Sequence, residues 1–301
     1  MFVPGLALCR FRKQDGAPRL GLVRKEQVYD LTAGGYGDLD AWLLSTVGRL
    51  EPAREALVAL SECLEPICAT EALLAGTVGL ELLAPIESQE VWACGVTYEM
   101  SREARMRESE EPTIYGRVYD ASRPEVFFKT TPQRVVADGE AVGIRSDSTW
   151  DVPEAELTLL VNPAFELVGY TIGNDMSSRD IEGQNPLYLP QAKIYDRCCA
   201  LGPWVRIDPF DALDQAVECM IVRDAAIVFS GETHTSTIHR PLQELIAYLG
   251  RCNSLPRGAF VLTGTGIVPP DTFTLQEGDQ VVIRFEGLGT LHNPVIELAA
   301  E

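Results

Sequence analysis

The stretch Pro153-Glu154-Ala155-Glu156-Leu157 places two carboxylates two residues apart at the mouth of an apolar run. On a strand, positions i and i+2 share a face, so Glu154 and Glu156 stand side by side. They repel unless a cation or water lies between them, and an oxygen-only pair suits a hard divalent ion, Mg²⁺ or Mn²⁺. Taken alone, the pair also fits the exposed strand edge of an acidic protein. Asp175 lies 19 residues after Glu156, where an apolar strand over 166–174 ends. A turn at Asn162-Pro163 returns this strand beside the first and brings Asp175 toward the pair; an aspartate there also fits a helix N-cap. Lys193 follows 18 residues later. An isolated lysine is ordinarily solvated, whereas beside a metal it can hold an anionic oxygen or move a proton. In Thr263-Gly264-Thr265-Gly266, closely spaced glycines and hydroxyls expose backbone N–H groups that can cradle a carboxylate, or simply turn the chain between strands.

Other chemistries lack their residues. The glycines are not at dinucleotide-binding spacing, and there is no Gly-x-Ser-x-Gly elbow. The three histidines, His234, His239 and His292, all fall late in the chain and are read as structural.

Positioning the acidic residues requires strands. Residues 5–11, 20–23 and 27–31 read as strands, with Gln14-Asp15-Gly16 as a hairpin turn between the first two. Helical spacing follows over 38–47 and 53–60. Residues 83–86 read as an extended connector, since the residue before Pro85 is pushed out of helix, and a boundary is placed there between regions 1–85 and 86–301. Beyond it, strands are expected over 91–96, 126–129, 156–161, 166–174, 217–222, 226–229, 260–263 and 280–285. Helices are expected over 101–108 and 241–249, the latter with Pro241 near its first turn. The balance is mostly β with some α.

The chain has 301 residues, 25 Lys+Arg and 44 Asp+Glu, for a net charge of −19. That field disfavours nucleic acid and anionic membranes as partners. No run approaches the roughly 20 apolar residues that span a bilayer, and residues 1–9 read as a strand rather than a signal peptide. Eight cysteines without CxxC spacing fit a reducing, cytoplasmic setting.

Together these residues resemble the fumarylacetoacetate hydrolase superfamily. The matching block comprises Gly95-Val96-Thr97-Tyr98, the segment from Arg123 to Lys129, Glu154-x-Glu156, the segment from Gly169 to Arg179, Lys193, and Thr263 to Gly266. The resemblance implies a β-roll catalytic domain preceded by a small α+β N-terminal domain, with Mg²⁺ held by Glu154, Glu156 and Asp175. It also implies a homodimer or homotetramer. Hydrolytic members carry a histidine, the base for water, three residues after the motif tyrosine; here that place holds Ser101. The segments from Tyr98 to Met106, Glu182 to Gln191 and Lys193 to Tyr195 are similar to the 2-keto-3-deoxy-D-arabinonate dehydratase branch. That similarity implies a 2-keto-3-deoxy sugar acid as substrate and 2,5-dioxopentanoate as product. Glu125 and Lys193 are then the acid/base pair, and Thr265, Gly264, Ser101 and Arg102 bind substrate. Arg105, Arg123 and Arg179 add positive potential near the mouth. The alternative is a metal-dependent acylpyruvate or fumarylacetoacetate-type hydrolase, with Glu125 acting on water.

Overall fold

The computed structural model describes residues 5–14 and 16–299. Strands dominate, as the punctuation of the sequence predicts. The main path of a twelve-stranded sheet runs Cys68–Ala69, Gln27–Asp30, Pro18–Arg24, Leu6–Lys13, Cys199–Arg206, Leu167–Asp175, Ala155–Val161, Ala259–Leu262, Glu90–Gly95, Glu125–Thr130. A five-stranded sheet of Ala226–His234, Ala216–Arg223, Gln280–Phe285, Gly289–Leu298 and Val142–Arg145 packs against it. A short ribbon pairs Asp151–Val152 with Ser177–Ser178.

Ala155–Val161 is buried throughout, which explains why its side chains other than Glu156 are apolar or Thr rather than alternating. The N-terminal strand Leu6–Lys13 hydrogen-bonds to Cys199–Arg206, with Ala7 opposite Arg206 and Leu8 opposite Val205. One core contains Leu8, Leu22, Trp42 and Leu57 together with Leu159, Leu201 and Phe260. Helices Leu39–Ser45 and Leu50–Glu62 cover it, the first capped by Asp38, whose side chain accepts from Ala41 N–H at 2.8 Å. The hairpin joining Leu6–Lys13 to Pro18–Arg24 forms, although Asp15 of its turn lies outside the described residues, as do Met1 to Pro4.

Most expected elements are present within a few residues. Pro241 stands just outside its helix, as N-cap with ψ 134°, rather than in the first turn. Strands Cys199–Arg206, Gly289–Leu298 and Val142–Arg145 and helix Pro112–Tyr119 were not expected. Among the described residues, no helix is long and apolar enough to cross a membrane.

The site is prepared by register. Ala155–Val161 runs antiparallel to Leu167–Asp175 with Glu156 opposite Gly173. Glu154 and Asp175 exchange both backbone hydrogen bonds, at 3.2 and 3.0 Å, so their side chains leave the sheet on one face. Gly173 is needed because a methyl there would collide with Thr158 Oγ1 and Leu262 Cδ2, both fully buried. Gly173→Ala is expected to lower unfolding stability by about 1–3 kcal/mol. Urea denaturation checks it, and an unchanged midpoint would refute the packing argument.

Candidate active site

Five strands bring one end of the main sheet together: the starts of Ala155–Val161 and Glu125–Thr130, and the ends of Leu167–Asp175, Ala259–Leu262 and Glu90–Gly95. The cleft at that end is lined by Glu125, Glu154, Glu156, Asp175, Lys193 and Thr265, among others. A larger groove of about 710 Å³ lies on the five-stranded sheet, but none of the buried ion pairs described below borders it.

Glu154, Glu156 and Asp175 are all buried, and ligand oxygens from the three lie within 4.8 Å of one another. Glu154 is surrounded by donors: Arg105 at 2.8 Å, Arg179 at 2.9 Å and Ser177 Oγ at 2.9 Å on Oε1, and Lys193 at 3.0 Å on Oε2. Burial pushes its carboxyl up, but Lys193 and Arg105 outweigh burial and hold it at about 2. Asp175 lies between two ammonium groups, Lys129 at 2.5 Å and Lys193 at 3.0 Å. Glu156 accepts from Gly264 N–H at 2.6 Å, and among the described residues no cation pairs with it. Burial first, then Asp175 and Glu154, drives its carboxyl well above the carboxylate range.

The charges of the cleft therefore do not balance. Buried or half-buried carboxylates at Glu108, Glu125, Glu154, Glu156, Asp175 and Glu182 outnumber the buried cations Arg105, Lys129, Arg179 and Lys193. With every group ionised, six face four, an excess of two negative charges. An all-oxygen trio with that excess fits a divalent hard cation.

Glu125 begins its strand directly opposite Gly95. Gly95 leaves the space its carboxyl occupies, since a methyl there would overlap Glu125 Oε2. Burial, then the charge of Glu182, pushes the Glu125 carboxyl up to about 7, against the pull of Arg105 and Lys193. Lys193 Nζ also meets Ser177 Oγ at 2.5 Å. Burial alone would lower its proton affinity, but Asp175 and Glu154 raise it well above the ordinary lysine value.

The expected substrate contacts divide. Thr265 is buried at the cleft wall, with Oγ1 accepting from Ile267 N–H at 3.2 Å. The Gly264 N–H is engaged by Glu156, so it is not open to a ligand in this structure. Ser101 lines the cleft, its Oγ donating to the Tyr98 carbonyl at 2.9 Å. Arg102 lies one helical step off that face, over the Tyr119 ring at 4.8 Å and paired with Glu99 at 3.2 Å. Arg105, four residues after Ser101, reaches the cleft instead. Arg179 joins the buried network, whereas Arg123 lies over Tyr248, away from it. None of the three histidines lines the cleft.

Lys129 and Glu182 carried no role in the sequence reading. Lys129 is completely buried, pairs with Asp175, and donates to the main-chain carbonyls of Met176 (3.0 Å) and Lys193. Its place four residues after Glu125, on the same strand face, was the available signal.

The family described as "Fumarylacetoacetate (FAA) hydrolase C-terminal" matches residues 91–296. The probable 2-keto-3-deoxyxylonate dehydratase of Haloferax volcanii is 46% identical over 288 residues, covering 93% of this chain and 96% of that protein. The 2-dehydro-3-deoxy-D-arabinonate dehydratase of Saccharolobus solfataricus is 44% identical over 228 residues, 72% and 74% of the respective chains. The solved structure of 2-keto-3-deoxy-D-arabinonate dehydratase complexed with magnesium and 2,5-dioxopentanoate superimposes with a TM-score of 0.83 at 33% identity, covering 98% of this chain and all of that one. The metal-ready carboxylate trio, the β-roll that presents it and these matches make this chain a member of the fumarylacetoacetate hydrolase family.

Proposed function

We propose that this protein dehydrates a 2-keto-3-deoxy pentonate, of the arabinonate or xylonate series, to 2,5-dioxopentanoate. Glu154, Glu156 and Asp175 would hold Mg²⁺, with Mn²⁺ as an alternative. A divalent cation there supplies Lewis-acid polarisation of the 2-keto oxygen. The observation that carries dehydration over carbon–carbon hydrolysis is at position 101. Where hydrolytic relatives place the base for water, Ser101 is tied to a backbone carbonyl, and Glu125 and Lys193 stand in the cleft as an acid/base pair.

The two divide the work by proton affinity. Glu125, with its carboxyl near 7, is matched to taking the C3 proton close to neutral pH and to returning it to the departing C4 hydroxyl. Lys193 keeps its proton and stabilises negative charge developing beside it. Thr265 bonds the substrate's carboxylate or a hydroxyl, and Ser101 borders the same space. Loss of a C5 proton and tautomerisation then give the aldehyde. Arg105 and Arg179 act through Glu154, fixing where its oxygens lie.

We assign residues 1–85 as a companion N-terminal module and 86–301 as the catalytic one. All eight cysteines are free, which supports a cytoplasmic setting. Exposed Ile227 and Val228 on the outer strand Ala226–His234 support self-association as a homodimer or homotetramer. Light scattering tests that assembly.

Purified protein with Mg²⁺ is expected to convert 2-keto-3-deoxy-D-arabinonate or its xylonate epimer into 2,5-dioxopentanoate, and chelation to abolish this. Pyruvate released from an acylpyruvate, with neither pentonate consumed, would overturn the reading. Glu156→Gln is expected to weaken Mg²⁺ binding at least about tenfold by calorimetry, because it removes one of three charged ligands. Unaltered affinity would exclude Glu156 as a ligand.

Because Glu125 must be ionised to act as base, kcat/KM is expected to fall as pH drops below about 7. Glu125→Gln should abolish this limb and reduce kcat by about 10²–10⁴. Stability changes in the opposite direction. A carboxyl with its folded value raised to about 7 contributes stability that is full below its ordinary value and is lost as pH rises through 7. Denaturation of the metal-free protein across pH 4–8 should show a shallower decline in Glu125→Gln. Parallel curves would refute the shift.

A further inference from the structure

One buried oxygen in the cleft has no partner and takes no part in the scheme above. Glu182 sits on the short helix Arg179–Gln184, is 4% exposed, and lines the same space as Glu125, Lys193 and Thr265. Its Oε1 is fixed by Arg105 Nε at 3.1 Å, whereas Oε2 is buried and meets no donor among the described residues. Arg105 cannot turn to serve it, because its other nitrogens are bound to Glu108 at 2.7 Å and Glu154 at 2.8 Å. A carboxylate oxygen held out of water without a donor is costly, and in a native cleft such an atom marks the place of a ligand or ordered water.

The chemistry of that ligand is restricted. A carboxylate oxygen only accepts, so it requires an O–H or N–H. The carboxylate and keto oxygens of a keto acid are acceptors as well, and Glu182 repels that end of the molecule. The C4 hydroxyl must receive a proton as it leaves, which an ionised carboxylate does not supply. The terminal hydroxyl remains.

The geometry points to Glu182 as the residue that selects the substrate's tail: its Oε2 accepts a hydrogen bond from the C5 hydroxyl, so the site favours hydroxylated 2-keto acids over plain ones. The identity of the tail rests on the dehydratase reading; the demand for a donor at Oε2 does not. Glu182 is thus a specificity residue, and Arg105 is the positioning residue that aims it.

The test is calorimetric binding to the Mg²⁺-loaded protein of 2-oxopentanoate and 5-hydroxy-2-oxopentanoate, neither of which carries the leaving hydroxyl. The hydroxylated acid is expected to bind about 10- to 100-fold more tightly, the range for a hydrogen bond to a charged group. Glu182→Gln keeps an oxygen for Arg105 and should narrow that ratio to about threefold or less. Equal binding of the two acids by the unaltered protein would overturn the inference, as would a ratio that survives in Glu182→Gln. Should that variant fail to fold by circular dichroism, Glu182→Asp, which withdraws the oxygen by one methylene, gives the same reading. Turnover of 2-keto-3-deoxy-D-arabinonate is assayed separately. Its absence would remove the dehydratase assignment and leave the binding ratio to decide the role of Glu182.

Discussion

Charge carried into a place without water is the constraint on which this protein is built. Taking a carboxylate or ammonium out of water costs several kcal/mol even after relaxation. Here, as counted with every group ionised, six acids and four bases meet at one end of a sheet. The cost is offset only where partners are close and fixed, and the hydrogen-bond pattern follows that need. Arg105 bridges three carboxylates, Arg179 bridges two, and Lys193 lies between Glu154 and Asp175. Glu156 stands outside this pairing. Its unrelieved repulsion makes the cleft a receptor for positive charge, and it reconciles a chain of net charge −19 with an anionic substrate.

The sheet converts that electrostatic demand into position. Glu154 and Asp175 are locked across a two-way backbone pair, so neither carboxylate can drift without breaking the ladder. Glu125 owes its place to the missing side chain of Gly95, and Lys129 joins two distant segments from beneath by holding the carbonyls after Asp175 and at Lys193. Rigid elements carry the groups that must not move. The half-buried and buried faces of helix Glu99–Glu108 close the cleft from above through Ser101 and Arg105.

Parts of this were legible in the sequence because they obey short-range periodicity. Two-residue alternation aligned Glu154 with Glu156, and the Asn162-Pro163 turn brought Asp175 back to them. Glu125 carries no local signature and emerges only through the family resemblance, whereas Lys193 stands out by following the acidic residues and takes its acid/base role from the resemblance. Burial of a charged side chain is decided by distant partners, so the sequence places Arg105 and Arg179 only near the mouth, not in a buried network, and leaves Glu182 as part of a motif without a role. Helical phase separates Arg102 from Arg105: with Ser101 facing the cleft, it is Arg105, four residues on, that lines it, while Arg102 lies over Tyr119. Strand Cys199–Arg206 escaped notice because Gly202-Pro203 interrupts it, and proline within a run argues against a central strand. Its neighbours pair with the residues that flank the break, Leu8 with Val205 on one side and Ile172 with Gly202 on the other.

The pairing of Leu6–Lys13 with Cys199–Arg206 bears on how this protein could be dissected or recombined. The family match begins at residue 91, which invites the idea of a catalytic unit that stands by itself. Cut at that point, the remaining chain would keep all the acids and bases named above. It would also bare part of a central strand whose backbone N–H and C=O groups now face a partner, and apolar surface now covered by Leu8, Leu22 and Trp42. An uncovered strand edge beside an apolar face is a template for joining other chains. Strand Leu6–Lys13 thus covers an edge that would otherwise invite aggregation, and grafting this sheet elsewhere would require a replacement for that one strand.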